Sequence, residues 1–431
     1  MKHSSLRALI AIVFAACVAI VGRTAWAAPV DSAQSPTIVA AATPTGTPTA
    51  TPAPTPTPTA APPPKVVQFS GEADLGYTRL ASEYNQNPYG SETYYRVFDG
   101  ITLPAASIQT QPRSIANAPD VQDIYIGALF TGPAGLGGDV DVAFGTDADV
   151  FASYPQPIED WNIPQAYLTY AYKDATFTVG KFYTLAGAEV IKSVNDWEYS
   201  RSILFGYAVP FTHTGVRLNI APSSKFNYTI GENLGWDTIR SQGNGRTTEL
   251  GIGFNPSSAT SLTVQSYIGK SPANAGEATL NWPTVDPSSP ALFPLYVTPR
   301  HLYDVVLIGH VTSALTLQGN YDYGTQMDVP LATGGYGTAI WQGLAAYLNY
   351  QFTPKWAATI RGEEFDDKGG FRTGVDQKIG EGTFTAQYQP VSPLFLRLEY
   401  RADHSNQAPF TYNGNPVNFQ HTLGAEAAVK F

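Results

Sequence analysis

Charged side chains are sparse in this chain, and their spacing suggests what they can do. Glu189, Asp196 and Glu198 fall in one stretch, "AGAEVIKSVNDWEYSRS", where they alternate irregularly with apolar residues able to pack on a wall. Arg361 with Glu363, and Arg397 with Glu399 and Arg401, recur two residues apart, so each set lies on one face of an extended strand; Arg217 sits on the polar face of its own segment. Acids on a loop opposite arginines on a wall would set a transverse field across a narrow aqueous passage, acting at short range where salt screens least. The same residues allow a plainer arrangement, in which the arginines pair with Glu363 and Glu399 on neighbouring strands and neutralise the wall. Spacing alone leaves both open.

Other chemistry finds little support. His213, His301, His310, His404 and His421 are scattered, with no HExxH pair and no GxSxG elbow, and no serine accompanies His310 or His421 at a useful spacing. No enzyme activity is expected. In "GDVDVAFGTDADV", Asp139 and Asp141 share one strand face and Asp147 and Asp149 open a loop, without the glycine and distal glutamate of a calcium loop. No cofactor is expected, and a loop-bound calcium ion is left open. The single cysteine, Cys17, lies in a segment expected to be removed, which excludes a disulfide. A net charge of -10 without a basic cluster argues against a nucleic-acid partner.

The elements that must position these residues are strands. Charged residues make up only 14% of the chain, and tyrosine, phenylalanine and glycine are abundant. Leu394, Leu396, Leu398 and Tyr400 oppose Arg397, Glu399 and Arg401; Trp356, Ala358 and Ile360 oppose Thr359, Arg361 and Glu363; Leu315, Leu317, Tyr321 and Tyr323 oppose Thr316, Gln318, Asn320 and Asp322. This alternation predicts sixteen strands, near 66–78, 121–131, 136–146, 163–172, 175–183, 211–220, 226–235, 246–254, 260–270, 300–312, 314–324, 339–352, 355–364, 377–388, 394–402 and 419–431, with fourteen to eighteen within reach of the pattern. Their connections alternate between tight turns and long loops, among them 184–210. A closed sheet of this size has a lumen too wide for side chains to fill, so the polar face points inward. The pattern describes an all-β transmembrane antiparallel barrel of about sixteen strands in a bacterial outer membrane, with short periplasmic turns and long extracellular loops.

The rest of the chain reads as address and tether. Residues 1–27 have the basic start, apolar core and "AWA" end of a signal peptide, and residues 28–65 are a Pro/Thr-rich disordered linker ahead of the barrel at 66–431. The final alternation, Leu423, Ala425, Ala427, Val429 and Phe431, predicts pairing with the first strand, since an open edge in lipid would leave backbone groups unpartnered. Trp356, Tyr388, Tyr400, Phe419 and Phe431 are expected in interface belts against membrane lipid. A last strand ending in phenylalanine also resembles the signal read by the outer-membrane assembly machinery.

At "VGKFYTLAGAEVI" and "EYSRSILFGYAVPFTHTGVRLN" the chain resembles the OmpL-like beta-barrel porin-2 family, and the likeness extends over most of the sequence after Val66. The resemblance implies an outer-membrane porin, which would let small hydrophilic solutes or ions diffuse through a water-filled barrel. The alternative is a non-conducting barrel with a structural or adhesive role at the surface. Homo-oligomerisation is left open by the sequence.

Overall fold

The structure, a computed structural model, describes residues 67–80, 94–97, 101–104, 118–151, 153, 161–240, 244–273, 296–331, 333–412 and 415–431. The expected signal peptide and linker lie outside the described residues, as does the side chain of Asp149. The barrel strands are β1 (Val67–Leu80), β2 (Ala118–Thr131), β3 (Leu136–Phe144), β4 (Trp161–Tyr172), β5 (Ala175–Tyr183), β6 (Thr212–Ser223), β7 (Phe226–Asn233), β8 (Arg246–Ser257), β9 (Thr260–Ala273), β10 (Tyr296–His310), β11 (Leu315–Pro330), β12 (Tyr336–Thr353), β13 (Trp356–Lys368), β14 (Gln377–Val391), β15 (Leu394–Ser405) and β16 (Phe419–Lys430). Two short helices, α1 (Thr146–Val150) and α2 (Ile203–Tyr207), lie in long loops.

Each strand pairs antiparallel with its sequence neighbours, and β1 pairs with β16 to close the cylinder. At the seam Gly71 N–H donates to the Phe431 carbonyl and Phe431 N–H donates to that of Gly71, both at 2.8 Å. The terminal residue therefore completes the ladder rather than trailing from it. Among the described residues no helix is long and apolar enough to cross a membrane. The strands do so instead, each with its apolar side outward: Leu398 is 66% exposed while its neighbour Arg397 is 2%.

Aromatic residues gather at both ends of this face. Trp356 stacks on its cross-strand partner Tyr388 with ring centroids 4.4 Å apart, at the short-turn end, where Phe431 is also exposed. Tyr400, Phe419 and His421 cluster toward the other end, the Tyr400 hydroxyl sharing a 2.7 Å hydrogen bond with His421 Nδ1.

All sixteen strands stand where the alternation placed them, but several run further toward the long-loop rim. β11 and β12 continue as a ladder through Val329↔Gly337, past a register shift after Gln326, and reduce the expected loop at 325–338 to residues 331–335. Backbone pairing does not need lipid, so the ladder continues above the apolar band, where alternation no longer marks it. Small hairpins at Tyr94–Val97/Ile101–Pro104 and Phe410–Tyr412/Asn415–Val417 sit within loops that carried no strand signal.

Deleting Phe431 removes both seam hydrogen bonds and should cost about 2 kcal/mol. Heat-modifiable gel migration of the detergent-folded protein should then show unfolding at a lower temperature than wild type. An unchanged transition would mean that the seam is held elsewhere.

Candidate functional site

The connection between β5 and β6 does not stay at the rim. In ring order β5 and β6 lie across the cylinder from β13 and β14, and the loop at 184–210 reaches that far wall. Ala188 N–H donates to Asn320 Oδ1 on β11 at 3.1 Å, and Gln318 Nε2 donates to the Ala188 carbonyl at 3.0 Å. Lys192 pairs with Asp141 on β3 at 2.8 Å, Ser193 Oγ donates to Asp74 on β1 at 2.6 Å, and Lys430 Nζ on β16 donates to Asn195 Oδ1 at 2.7 Å.

Its apolar half explains why it stays there. Ile203, Leu204, Phe205, Tyr207, Ala208 and Val209 are buried against an inner stripe of β12 formed by Ala339, Trp341, Ala345 and Tyr347. Gly343 leaves the room that Leu204 fills, since a Cβ at 343 would run into the Leu204 side chain. Trp341 Nε1 donates to the Ala208 carbonyl at 3.0 Å. The α2 turn is capped twice: Ser202 Oγ accepts from Phe205 N–H at 3.0 Å, and Glu363 accepts from Ile203 and Leu204 N–H at 2.5 and 3.1 Å.

The charged residues converge around Arg361. Its guanidinium meets Glu189 and Glu198 of the loop at 2.8 Å each and Glu381 of β14 at 2.7 Å, and donates to the Ser200 carbonyl at 2.8 Å. Arg401 pairs with Asp403 at 2.8 Å and Glu381 at 3.2 Å, lies 3.9 Å from Glu363, and donates to the Arg201 carbonyl at 2.7 Å. Arg397 pairs with Glu426 at 2.9 Å and donates to the carbonyls of Ser193, Asp196 and Glu198. Glu399 accepts from Tyr199 and Ser200 N–H at 2.9 and 3.1 Å. Tyr199 itself lies over Gly424, where any Cβ would strike its ring.

Of the residues singled out from sequence, eight meet in this network and one does not. Arg217 stands at the root of the loop, paired with Glu249 of β8 at 2.8 Å and donating to the Tyr183 carbonyl at 3.2 Å. It sits on β6, beside the strand from which the loop departs, too far round the cylinder to face the loop's acids. Glu381, Asp403 and Glu426 were missed as partners, although each lies on the inward parity of its strand. Asp196 pairs with Arg201 of the same loop at 3.0 Å. Burial nevertheless pushes its carboxyl up to about 7, against the opposing effect of Arg201, and burial also raises Glu198 despite Arg361.

Acids also line the wall beyond this knot. Asp304 and Asp322 are cross-strand partners on β10 and β11, as are Asp74 and Asp123 on β1 and β2. All four are fully buried by their surroundings, and Asn320 Nδ2 donates to Asp304 at 2.7 Å. Asp139 and Asp141 share Gln165, whose Nε2 lies 2.9 and 3.3 Å from them; Asp147 lies in α1. The histidines are dispersed: His213 stacks on Tyr267 at 4.4 Å, and His310 bonds Thr316 at the opposite end of the barrel.

A family profile described as "Putative beta-barrel porin-2, OmpL-like" matches residues 67–431, the whole barrel. The chain belongs to this family. It is a porin of the bacterial outer membrane, and its family and fold are those of a channel. No curated protein matches its sequence. Among solved structures the porin is similar to the outer membrane channel DcaP of Acinetobacter baumannii (14% identity, TM-score 0.57, covering 85% of this chain and 97% of that one). It is also similar to an anion-selective porin from Comamonas acidovorans (9% identity, TM-score 0.55, covering 85% and 99%). A third is the trimer form of OmpT from Vibrio cholerae (12% identity, TM-score 0.51, covering 85% and 99%). At these identities the likeness is one of fold.

Replacing Arg361 by alanine leaves Glu189, Glu198 and Glu381 facing one another without their shared cation, and should destabilise the docked loop by about 3–5 kcal/mol. Limited proteolysis should then cut the porin between 184 and 210 much faster than wild type, with the barrel still heat-modifiable.

The raised carboxyl of Asp196 binds its proton more tightly in the docked loop than it would in water. Docking is therefore strongest below the ordinary carboxylate range, near pH 4, and weakens as pH rises toward 7. Amide protection factors across the loop, corrected for the intrinsic pH dependence of exchange, should fall over that interval, and Asp196→Asn should flatten the fall.

Proposed function

We propose that this porin passes small hydrophilic solutes and ions with a preference for cations, and that the loop at 184–210 sets the constriction. The observation carrying this reading is that Arg361, Arg397 and Arg401 are each already matched by carboxylates, through Glu189, Glu198, Glu381, Asp403 and Glu426. The arginines neutralise rather than dominate, and the wall carries further inward acids in Asp304, Asp322 and Asp139, which supports a lean toward cations. In this reading Glu189, Asp196, Glu198, Glu363 and Glu399 hold and shape the constriction, and Arg217 with Glu249 forms a separate neutral point on the opposite wall. A path beside the loop is supported by the small inward residues of β7 and β8, Thr229, Gly231, Gly251 and Gly253. Neither an enzymatic reaction nor a cofactor is assigned.

One observation favours a second reading, a non-conducting barrel with a structural or adhesive role. One cavity against the loop, lined by Ala188, Glu189, Asp196, Trp197, Gln318 and Tyr347, measures about 20 Å³, room for a single water, so the loop packs closely on the wall there. Planar-bilayer recording separates the two. Under the favoured reading the folded protein gives conductance steps, and its reversal potential in a salt gradient reports cation preference. Repeated recordings without steps would favour the plugged barrel.

Arg397→Ala combined with Arg401→Ala frees Glu426 and Asp403 and should shift the reversal potential further toward cations. Anion preference in the wild type, or unchanged selectivity and conductance in the variant, would remove these side chains from the passage. Assembly through the strand ending in Phe431 and self-association, as in the OmpT trimer form, belong to the same proposal.

A further inference from the structure

Outward positions of a membrane barrel meet hydrocarbon in the middle and headgroups at the two ends. At the long-loop end of β8 and β9, two cations stand directly opposite one another: Arg246 and Lys270 are cross-strand partners, and both are exposed. Parity places both on the lipid side. Arg246 is in step with Leu250 and Ile252, and Lys270 with Ile268 and Val264; Leu250, Ile252 and Val264 are all exposed on that face. From Lys270 to Leu262, near the short-turn end, at about 3.3 Å per residue and a tilt of about 40°, is roughly 20 Å along the membrane normal. The pair thus sits at the outer boundary of the apolar band.

Like charges directly opposite on neighbouring strands repel. The nearest acid on this face, Glu232 of β7, accepts the Thr248 hydroxyl at 3.0 Å, and among the described residues no ion pair joins it to Arg246 or Lys270. The rim is built differently at β13 and β14, where Lys378 of β14 faces its cross-strand partner Asp366 of β13 and pairs with it at 3.1 Å. There the sheet supplies its own counter-charge. At β8 and β9, among the described residues, the sheet supplies none.

We propose that Arg246 and Lys270 form a binding site for the phosphate of an outer-leaflet lipid, whose acyl chains run down over Leu250, Ile252 and Ile268. A guanidinium offers a planar fork to two phosphate oxygens and an ammonium a compact charge beside it, so the two together suit one dianionic group. Apolar side chains immediately below the cations select a lipid headgroup over free phosphate. The site lies outside the barrel wall, so it does not depend on whether the lumen conducts.

The test uses the detergent-folded porin and native mass spectrometry with three probes: bisphosphorylated lipid A, the same lipid dephosphorylated, and inorganic phosphate. Bound bisphosphorylated lipid is expected, with the dephosphorylated lipid at least tenfold weaker and inorganic phosphate unable to displace it at equal concentration. Arg246→Gln and Lys270→Gln should each weaken lipid binding about fivefold, while Lys225→Gln with Lys355→Gln at the short-turn rim leaves it unchanged. Equal binding of the two lipids, displacement by inorganic phosphate alone, or full binding by the Arg246→Gln/Lys270→Gln double variant would each overturn the assignment. If the double variant does not fold, salt decides it on the wild type: affinity should fall as ionic strength rises, and affinity independent of salt would equally overturn it.

Discussion

Everything in this molecule follows from a rule about backbone groups in hydrocarbon: none can be left without a partner. A sheet obeys that rule only by having no edge, so β16 must find β1, and Gly71 and Phe431 meet reciprocally to finish the ladder. Closure at sixteen strands then fixes a circumference larger than the wall's own side chains can fill. Outward alternation, the wet interior and the need for an internal segment are consequences of that single constraint.

The internal segment meets the converse difficulty, since a loop inside a barrel carries amides and carbonyls that no strand ladder satisfies. Here wall side chains take that role. Glu363 and Glu399 accept loop amides, whereas Arg361, Arg397 and Arg401 donate to loop carbonyls. The ion pairs and the backbone bonds are made by the same groups, so charge neutralisation and loop placement cannot be separated by a single substitution. A buried network of this kind fixes geometry more than it adds stability, because each ion gives up its hydration to join it.

How much was legible beforehand depends on which physical pressure wrote the pattern. Lipid enforces a period of two, so the strands, their faces and the aromatic belts could be read directly. The upward extensions of β11 to β13 could not, because backbone pairing continues there without an apolar partner. For the site, spacing identified Glu189, Asp196 and Glu198 together with the arginine wall, but it could not show that Glu363 and Glu399 bind backbone, which leaves no trace in residue type. Arg217 faces inward as its parity indicates but stands apart from the network for a different reason: parity gives the face of a strand, whereas strand order gives its direction around the ring, and β6 adjoins the loop's own root. One unused signal was present. "AIWQGLAAYLNY" is apolar on both faces but for Gln342 and Asn349, and a strand of a wet barrel that is greasy inside must be covered by something.

A thin cylinder one sheet thick is mechanically soft: it flattens to an ellipse at little cost, because its strands can hinge along their ladders without breaking them. The loop changes this by acting as a strut between opposite walls, rooted at β5 and β6 and fastened to β13 and β15 through several bonds each. The chord it spans is held at a length set by the loop rather than by lateral pressure from the bilayer.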